Sequence, residues 1–256
     1  MPRAFQFLDG SVYLSHMKKA RQARGAAMPD NYETEPLMYQ GLSDSFLGPK
    51  EDVPFASDSI GVDCEAEIGV IVDDVPLGVS ASEASTHIKL VCLLNDFTAR
   101  ALTQTELPKG FGFIQSKPAS SFAPVAVSPS SLGSYWRDNR LCLPVKTKIN
   151  DLVLGAPHAG TDMYFDFADL IAHAAKTRRL SAGTIIGAGA VSNDDVQQGY
   201  ACIAEARVEE QNAEGQAKTA FLKFGDRVQI EVTGEHGEPV FGAIDQQIVK
   251  HTKCPA

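Results

Sequence analysis

The sequence predicts a β-rich α+β fold, in which mixed, rolled β-sheets carry a few short helices. Predicted strands outnumber predicted helices, and the two do not alternate regularly, which argues against a doubly wound parallel sheet. The chain has 256 residues, of which 44% are hydrophobic, and this is enough for the core of one large domain. Since no internal repeat or clean linker divides it, we expect a single domain over residues 1–256.

The first part of the chain differs from the rest. Residues 1–56 are predicted to be irregular apart from one helix over residues 14–24, because proline and turn-forming residues are frequent there. So long a stretch without regular structure is unusual in a compact domain unless it covers or builds a site. We therefore expect this segment to contribute to a functional site.

From residue 59 onward, apolar runs and alternating patterns predict most of the strands. The clearest amphipathic helix is expected over residues 165–177, and shorter helices begin near residues 82 and 98. Asn150 and Asp151 are predicted to close a hairpin. Strands are expected at residues 60–62, 65–72, 123–127, 141–149, 152–154, 184–186, 201–209, 219–221, 227–233 and 240–248, and residues 87–96 form an apolar run that ends in a polar pair.

Composition excludes several classes of function. The net charge is −9 and no basic stripe offsets it, so we expect no nucleic-acid partner. No apolar run reaches the length of a membrane span, and no secretory leader is recognisable, so we expect no membrane partner. The cysteines are odd in number and lack metal-type spacing, which favours a reducing, cytoplasmic location and small core side chains. They are Cys64, Cys92, Cys142, Cys202 and Cys254.

Three carboxylates suggest a cation site. Glu65 and Glu67 are two residues apart on a predicted strand and so project from one face, and Asp96 ends an apolar run. Buried carboxylates that face one another repel unless they share a proton or a cation, and Mg²⁺ accepts such oxygen ligands. The alternative is that both glutamates line the solvent face of an amphipathic strand.

Several motifs, in order along nearly the whole chain, resemble those of the fumarylacetoacetate hydrolase (FAH) superfamily. The matching segments are D-C-E-A-E-I-G-V at 63–70, L-N-D-F-T-A-R at 94–100, G-F-G-F-I-Q-S-K-P at 110–118, A-G-T-D-M at 159–163, L-S-A-G-T-I-I-G-A-G at 180–189 and F-L-K-F-G-D at 221–226. The resemblance implies an FAH-type β-roll and a homodimer. It also implies that an N-terminal module found in longer relatives is absent here.

The resemblance assigns roles to individual residues. Glu65, Glu67 and Asp96 match the metal ligands of the superfamily, and Asp9 matches a further ligand. The implied ion is Mg²⁺, with Ca²⁺ or Mn²⁺ as alternatives. His16, seven residues after Asp9, matches the general base.

Other matches surround this expected metal site. Glu205 matches a glutamate that orients the histidine. Lys117 and Arg100 match cationic residues near the metal, and Tyr39 matches a tyrosine that contacts substrate.

The implied activity is metal-dependent hydrolysis of a C–C bond in a 1,3-dicarbonyl acid, such as fumarylacetoacetate or an acylpyruvate, as in the catabolism of tyrosine and other aromatic compounds. His16, held by Glu205, would activate the attacking water. Lys117 and Arg100 would stabilise the developing oxyanion.

Two departures from the superfamily pattern concern the substrate. Thr103 stands where relatives often have glutamine, and Gln104 comes one place late. Ala190 stands where many relatives have serine or threonine, which removes a hydroxyl. We therefore expect Thr103, Gln104 and Ala190, together with Tyr39 and Arg100, to decide which small diketo acid binds.

Alternatives remain at this point. Within the superfamily, the chain could be a decarboxylase, isomerase or hydratase of a 2-oxo acid, or it could be a non-catalytic scaffold that keeps the fold. Taken singly, His16 is typical of a polar surface residue and Lys117 of a solvated lysine. Arg100 could pair with a carboxylate on a helix, and Glu205 could lie on a strand face.

Overall fold

The computed structural model describes residues 2–252, and β-strands dominate this part of the chain. The strands are β1 (Phe7–Gly10), β2 (Met38–Gly41), β3 (Val53–Phe55), β4 (Val62–Asp63), β5 (Ala66–Val72), β6 (Ile88–Asn95), β7 (Thr98–Ala99), β8 (Ser121–Phe122), β9 (Trp136–Arg137), β10 (Arg140–Leu141), β11 (Val145–Ile149), β12 (Leu152–Gly155), β13 (Ile185–Gly187), β14 (Arg227–Thr233) and β15 (Pro239–Lys250). The helices are α1 (Leu14–Arg24), α2 (Ala81–Ala84), α3 (Arg100–Glu106), α4 (Pro129–Leu132), α5 (Phe167–Ala174) and α6 (Ile203–Glu214).

Two mixed sheets form the body. The first has six strands in the order β2-β1-β13-β5-β6-β8, with β1 and β13 parallel. The second has five strands in the order β12-β11-β14-β15-β3, with β15 and β3 parallel. One buried apolar cluster contains residues of both sheets, among them Val70 and Val91 of the first and Ile230 and Ile244 of the second. The predicted β-rich, mixed and curled architecture with short helices is therefore confirmed.

Several local predictions are confirmed. Helix α1 covers the predicted residues and ends at Gly25, which has a left-handed conformation. Helix α5 begins after Asp166, whose side chain forms a capping box with Asp169. The hairpin of β11 and β12 turns at Asn150, which has a positive φ as tight hairpin turns require.

Residues 1–56 are not irregular, because they contribute three strands in addition to α1. Strands β1 and β2 pair with each other at the edge of the first sheet, and β3 completes the second. The partners of β1 and β3 lie at residues 185–187 and 248–250. Strands as short as these, which pair with distant segments, carry too little local pattern for the sequence to reveal them.

Residues 201–209 were predicted as a strand but lie mostly within helix α6. Their apolar residues alternate, as in a strand, yet the helix begins where Asp63 of β4 accepts hydrogen bonds from the backbone N–H groups of Ile203 (2.7 Å) and Ala204 (3.0 Å). This cap comes from a residue 140 positions away from Ile203. A local sequence pattern therefore could not reveal it.

Two further strand predictions are wrong. Residues 219–221 form no strand, because the N–H and C=O of Thr219 bond to the side chains of Glu210 and Arg207 of α6. The strand expected at residues 123–127 is replaced by β8 and a single bridge at Val127, since Pro124 has no N–H to donate.

The described cysteines fit the prediction of small core residues. Cys64, Cys92 and Cys202 are buried free thiols and Cys142 is half-buried, while Cys254 lies outside the described residues. Within residues 2–252, no helix has both the length and the apolar character that crossing a bilayer requires.

Candidate active site

Most of the predicted site residues surround one cavity of about 220 Å³ that lies between β1, α1, β2 and α3. The structure thus brings together residues from six separate segments of the chain. Those lining the cavity are Asp9, His16, Tyr39, Glu65, Arg100, Thr103, Lys117 and Ala190.

Three buried carboxylates meet beside this cavity, and of the three Asp9 lines it. Asp9 lies on β1, Glu67 on β5, and Asp96 directly follows β6. Each offers an oxygen within 4.8 Å of the others. Three carboxylate oxygens in one place match the hard-oxygen donor set that a divalent cation prefers.

A glycine makes the room for these carboxylates. Gly187 of β13 lies between β1 and β5, directly opposite Asp9 and Gly69. A Cβ atom there would collide with Oδ1 of Asp9 and would approach Oε2 of Glu67 to 3.3 Å. Only the missing side chain leaves space for both carboxylates to converge.

Asp9 and Glu67 are electrostatically unsatisfied as they stand. Burial, reinforced by the charge of Asp96, raises the pKa of Asp9 to about 8. Burial and the charge of Asp9 hold the pKa of Glu67 well above its usual range. Both carboxylate oxygens of Glu67 are buried with no hydrogen-bond partner within residues 2–252. A bound cation would relieve this repulsion, so the residues present fit a divalent metal.

Glu65 has a different environment from Glu67. Its carboxylate accepts hydrogen bonds from Nζ of Lys117 at 2.5 Å and from Nη2 of Arg100 at 2.6 Å. Although burial alone would raise the pKa of Glu65, the charges of Lys117 and Arg100 lower it below its usual range. The structure therefore pairs Glu65 with the cationic side chains of Lys117 and Arg100. Glu65 lies beside the three-carboxylate cluster and is not part of it.

Lys117 connects the two groups of carboxylates. Its Nζ lies 2.6 Å from Oδ2 of Asp96 and 2.5 Å from Oε2 of Glu65. Burial alone would lower the pKa of Lys117, but the charges of Asp96 and Glu65 raise it, so the ammonium stays charged. Asp96 also accepts hydrogen bonds from the hydroxyls of Tyr39 and Ser120.

A histidine–carboxylate pair faces the same cavity. Nδ1 of His16 donates to Oε1 of Glu205 at 2.6 Å, and Nε2 lies 3.7 Å from Oε1 of Glu65. Burial alone would raise the pKa of Glu205, but hydrogen bonds from His16 and Ser192 and the charge of Lys19 lower it. Glu205 is therefore an anion that fixes the ring with Nε2 towards the cavity.

Sequence reasoning missed the residues that support this pair. Ser192 donates to Oε2 of Glu205 at 2.7 Å, and Lys19 lies 3.3 Å from the same oxygen. Asp63 caps α6, which carries Glu205 in its first turn, and accepts from Nε of Arg100 at 2.8 Å. The one available signal was the position of Asp63 inside the D-C-E-A-E motif.

The three residues that depart from the superfamily pattern lie in different environments. The Thr103 hydroxyl donates to the backbone oxygen of Arg100 at 2.7 Å, so it is already satisfied. Ala190 is buried and lines the cavity. Gln104 is exposed and lies outside this cavity, on the wall of a neighbouring one.

The β-rich fold and the carboxylate cavity define the class of protein, and a family model agrees with it. The model described as "Fumarylacetoacetate (FAA) hydrolase C-terminal" matches residues 6–249. The chain therefore belongs to this family.

Curated relatives have several activities. The chain is 26% identical over 159 residues to 2,4-didehydro-3-deoxy-L-rhamnonate hydrolase from Sphingomonas sp. strain SKA58, covering 61% of this chain and 53% of that protein. It is 27% identical over 188 residues to oxaloacetate tautomerase YisK from Bacillus subtilis, covering 73% of this chain and 52% of that protein. The matches thus span about half the length of these relatives.

Solved structures share the fold at low identity. Fumarylpyruvate hydrolase from Pseudomonas aeruginosa, in complex with Mn²⁺ and pyruvate, has a TM-score of 0.69 and 11% identity, covering 97% of this chain and 91% of that one. A 2-hydroxyhepta-2,4-diene-1,7-dioate isomerase from Mycobacterium marinum has a TM-score of 0.62 and 15% identity, covering 98% and 77%. The family thus includes hydrolases, isomerases and tautomerases on one fold.

Proposed function

We propose that this chain is a divalent-metal-dependent hydrolase that cleaves a C–C bond in a 1,3-dicarbonyl acid of the fumarylacetoacetate or acylpyruvate type. One observation carries the proposal. The pair of His16, a general base, and Glu205, its orienting carboxylate, reaches the cavity through His16, and the carboxylate cluster of Asp9, Glu67 and Asp96 reaches the same cavity through Asp9. A hydrolase of this type needs a base for water next to a site that binds the dicarbonyl group.

Asp9, Glu67 and Asp96 would hold the cation, which we propose to be Mg²⁺, or alternatively Ca²⁺ or Mn²⁺. The sequence resemblance also names Glu65 as a ligand, although its carboxylate pairs with Lys117 and Arg100 in the metal-free structure. When bound, the cation would polarise the carbonyl oxygens of the dicarbonyl acid. The raised pKa values of Asp9 and Glu67 support this assignment, because a cation stabilises the ionised carboxylates.

His16 would act as the base. Its Nδ1–H is engaged by the anionic Glu205, so the lone pair of the neutral ring is on Nε2, which is directed into the cavity. From there it would take a proton from a water molecule that attacks the distal carbonyl. The imidazolium that results is stabilised by the adjacent Glu205 carboxylate. Collapse of the resulting adduct would break the C–C bond and release a carboxylic acid and the enolate of the 2-oxo acid, and His16 would return its proton to the enolate carbon.

Arg100 and Lys117 would stabilise negative charge that develops on the substrate. Both are cationic and line the cavity, and both are held in place by carboxylates. Because preorganised donors need no rearrangement during the reaction, they favour an oxyanion strongly. Tyr39, Thr103 and Ala190 would contact the remainder of the substrate. Gln104 lies outside this cavity, on the wall of the neighbouring one, and would contact only a longer substrate.

The test is a panel of acylpyruvates and fumarylacetoacetate, assayed with and without Mg²⁺ by loss of enol absorbance. We expect Mg²⁺-dependent cleavage that is abolished in His16→Ala while the Mg²⁺ affinity stays the same. His236→Ala, at an exposed histidine on a hairpin turn, is the control and should keep full activity. Unchanged turnover in His16→Ala would contradict the assignment.

The second candidate is an isomerase or tautomerase of a 2-oxo acid, which the relationship to oxaloacetate tautomerase favours. His16 would then remove a proton from carbon instead of from water. Enol–keto interconversion of oxaloacetate without cleavage of any acylpyruvate would support this alternative. A scaffold without activity should bind no Mg²⁺ at Asp9, Glu67 and Asp96, which calorimetry would show.

We also propose that residues 1–256 act as one catalytic domain and assemble as a homodimer. Light scattering after size-exclusion chromatography should give twice the mass of the chain, which is 27.5 kDa. A monomer with full activity would contradict this proposal.

A further inference from the structure

A second group of metal-ligating side chains lies beside the carboxylate cluster. It consists of His16, Cys202 and Glu205, each of which offers one donor atom within 4.8 Å of the other two donors. Nδ1 of His16 is 2.6 Å from Oε1 of Glu205 and 4.0 Å from Sγ of Cys202. These three residues are the His–Cys–Glu cluster.

The starts of two helices hold the His–Cys–Glu cluster together. Cys202 directly precedes α6, and Glu205 lies in the first turn of that helix. His16 comes from the first turn of α1. A backbone bridge between Cys202 and Glu65 fixes the start of α6 against the first sheet region. Because all three side chains are buried, their donor atoms are held close together before any ligand binds.

The distances between these donors are close to those of a zinc site. Zinc binds nitrogen at about 2.0–2.1 Å, sulfur at about 2.3 Å and carboxylate oxygen at about 2.0–2.2 Å, usually in a tetrahedral arrangement. Two donors of one ion are therefore roughly 3.3–3.6 Å apart. To reach this geometry, the His16 nitrogen and the Glu205 oxygen must separate by less than about 1 Å, and the nitrogen and sulfur must approach by about 0.5 Å.

The two clusters differ in the kind of donor that they offer. Asp9, Glu67 and Asp96 supply only oxygen, which suits Mg²⁺. The imidazole of His16 and the thiolate of Cys202 are softer donors, which favour Zn²⁺ and similar cations. The chain therefore carries two adjacent donor sets with different metal preferences.

Glu205 can bind a cation through one oxygen and keep its contacts through the other. Ser192 and Lys19 lie 2.7 Å and 3.3 Å from Oε2, while Oε1 faces His16. The charge of Lys19 opposes a cation, but the Glu205 carboxylate and a Cys202 thiolate together supply two negative charges. His16 lines the first cavity, so a cation reaches the cluster past this ring.

We propose that the His–Cys–Glu cluster is an inhibitory site for a thiophilic divalent cation such as Zn²⁺. In the metal-free protein the neutral ring of His16 carries its proton on Nδ1, next to Glu205. A cation on Nδ1 leaves the ring proton on Nε2, and the thiol proton of Cys202 passes to solvent. Nε2 then has no lone pair with which to take a proton from water. The metal site stands apart from the proposed function, whereas its effect on turnover rests on that function.

Spectroscopy with Co²⁺, a substitute for Zn²⁺, tests the site directly, because a thiolate ligand gives a charge-transfer band in the near ultraviolet. The carboxylate cluster has no sulfur and gives no such band, and excess Mg²⁺ competes for it. We expect the band in the wild type and in Cys142→Ser, which changes a half-buried cysteine outside the cluster. It should be absent in Cys202→Ser and in Cys202→Ala, either of which suffices if the other does not fold. No band in the wild type, or a band that persists without Cys202, would overturn the proposal.

Zn²⁺ inhibition of Mg²⁺-dependent turnover tests the consequence for activity. Cys202→Ser should raise the Zn²⁺ concentration that halves the rate by about tenfold or more, and Cys142→Ser should leave it unchanged. Equal inhibition of all three proteins would overturn the inhibitory role. If no dicarbonyl acid is cleaved, the proposed function fails, but the Co²⁺ band still decides whether the His–Cys–Glu cluster binds a metal.

Discussion

Glu205 accepts a 2.6 Å hydrogen bond from Nδ1 of His16, although 189 residues separate the two along the chain. The pair joins the first turns of α1 and α6, so the packing of two helices sets the orientation of one imidazole ring. Both ends of this hydrogen bond are buried, which strengthens it and makes its loss costly.

The negative charge of Glu205 should matter more for kcat than the size of its side chain. Glu205→Gln keeps the size of the side chain but removes the anion that stabilises the protonated His16. We expect kcat to fall about a hundredfold or more while Mg²⁺ affinity is retained. Glu214→Gln, which changes an exposed glutamate at the far end of the same helix, should leave kcat unchanged. A kcat unaffected by Glu205→Gln would contradict the role of this pair.

Ser192 should support Glu205 through its hydroxyl. Ser192→Ala leaves Oε2 of the buried carboxylate without its 2.7 Å donor, which should lower the free energy of unfolding by about 1–3 kcal/mol. Ser192→Thr, which retains a hydroxyl, should recover part of the loss. Denaturant unfolding measures both variants, and equal stability of Ser192→Ala and the wild type would disprove this support.

In the metal-free protein, replacing Glu67 by glutamine and replacing Glu65 by glutamine should have different effects on stability. Glu67→Gln removes a buried carboxyl that lacks partners, so Tm without metal should stay the same or rise, and the increase in Tm on adding Mg²⁺ should disappear. Glu65→Gln leaves Lys117 and Arg100 without their shared anion and should cost about 3–5 kcal/mol. Thermal scans with chelator and with Mg²⁺ give both results. Equal destabilisation by the two changes would refute the distinction.

Metal binding should release protons near neutral pH. In the metal-free fold the pKa of Asp9 is raised from 3.8 to about 8, so its carboxyl is protonated below that pH and must ionise to bind a cation. Mg²⁺ affinity should therefore fall as the pH drops below about 8. Calorimetry in two buffers with different ionisation enthalpies would count the protons released, and a pH-independent Kd would rule this out.

The raised pKa of Asp9 also predicts how the free energy of unfolding depends on pH. Between pH 4 and 8 the metal-free fold holds a proton on Asp9 that the unfolded chain has lost, so the folded state binds more protons. The free energy of unfolding without metal should therefore decrease as the pH rises through this window. Excess Mg²⁺ should reduce this decrease, since the cation replaces the proton. Chemical denaturation at several pH values, with chelator and with Mg²⁺, measures the two slopes.

Gly187→Ala should remove the metal site without touching a carboxylate. The added Cβ would collide with Oδ1 of Asp9, so the side chain must turn away from Glu67 and Asp96. We expect loss of Mg²⁺ binding together with a drop in Tm. Gly48→Ala is the control, because its nearest neighbour would be the flexible Glu51 side chain at 3.6 Å. Retained Mg²⁺ affinity in Gly187→Ala would contradict the packing argument.

The sequence by itself determined the class of fold, the elements with strong local signals and the family. Helix α1 and the turn at Asn150 follow from helix-forming residues, a C-terminal glycine and hairpin chemistry, all of which act over a few residues. The family resemblance also named twelve site residues, most of which line the first cavity. Their roles as metal ligands and catalytic groups stay predictions.

Only the tertiary structure decided which side chains each of the site residues contacts. Residues 201–209 fold mostly into α6 and not a strand, because a cap from the distant Asp63 favours the helix. Glu65 and Glu67 look equivalent in sequence, yet one faces Lys117 and Arg100 and the other faces Asp9 and Asp96. The reason is physical: partners from distant segments set the energy of a buried charge, and no local pattern records which segments meet.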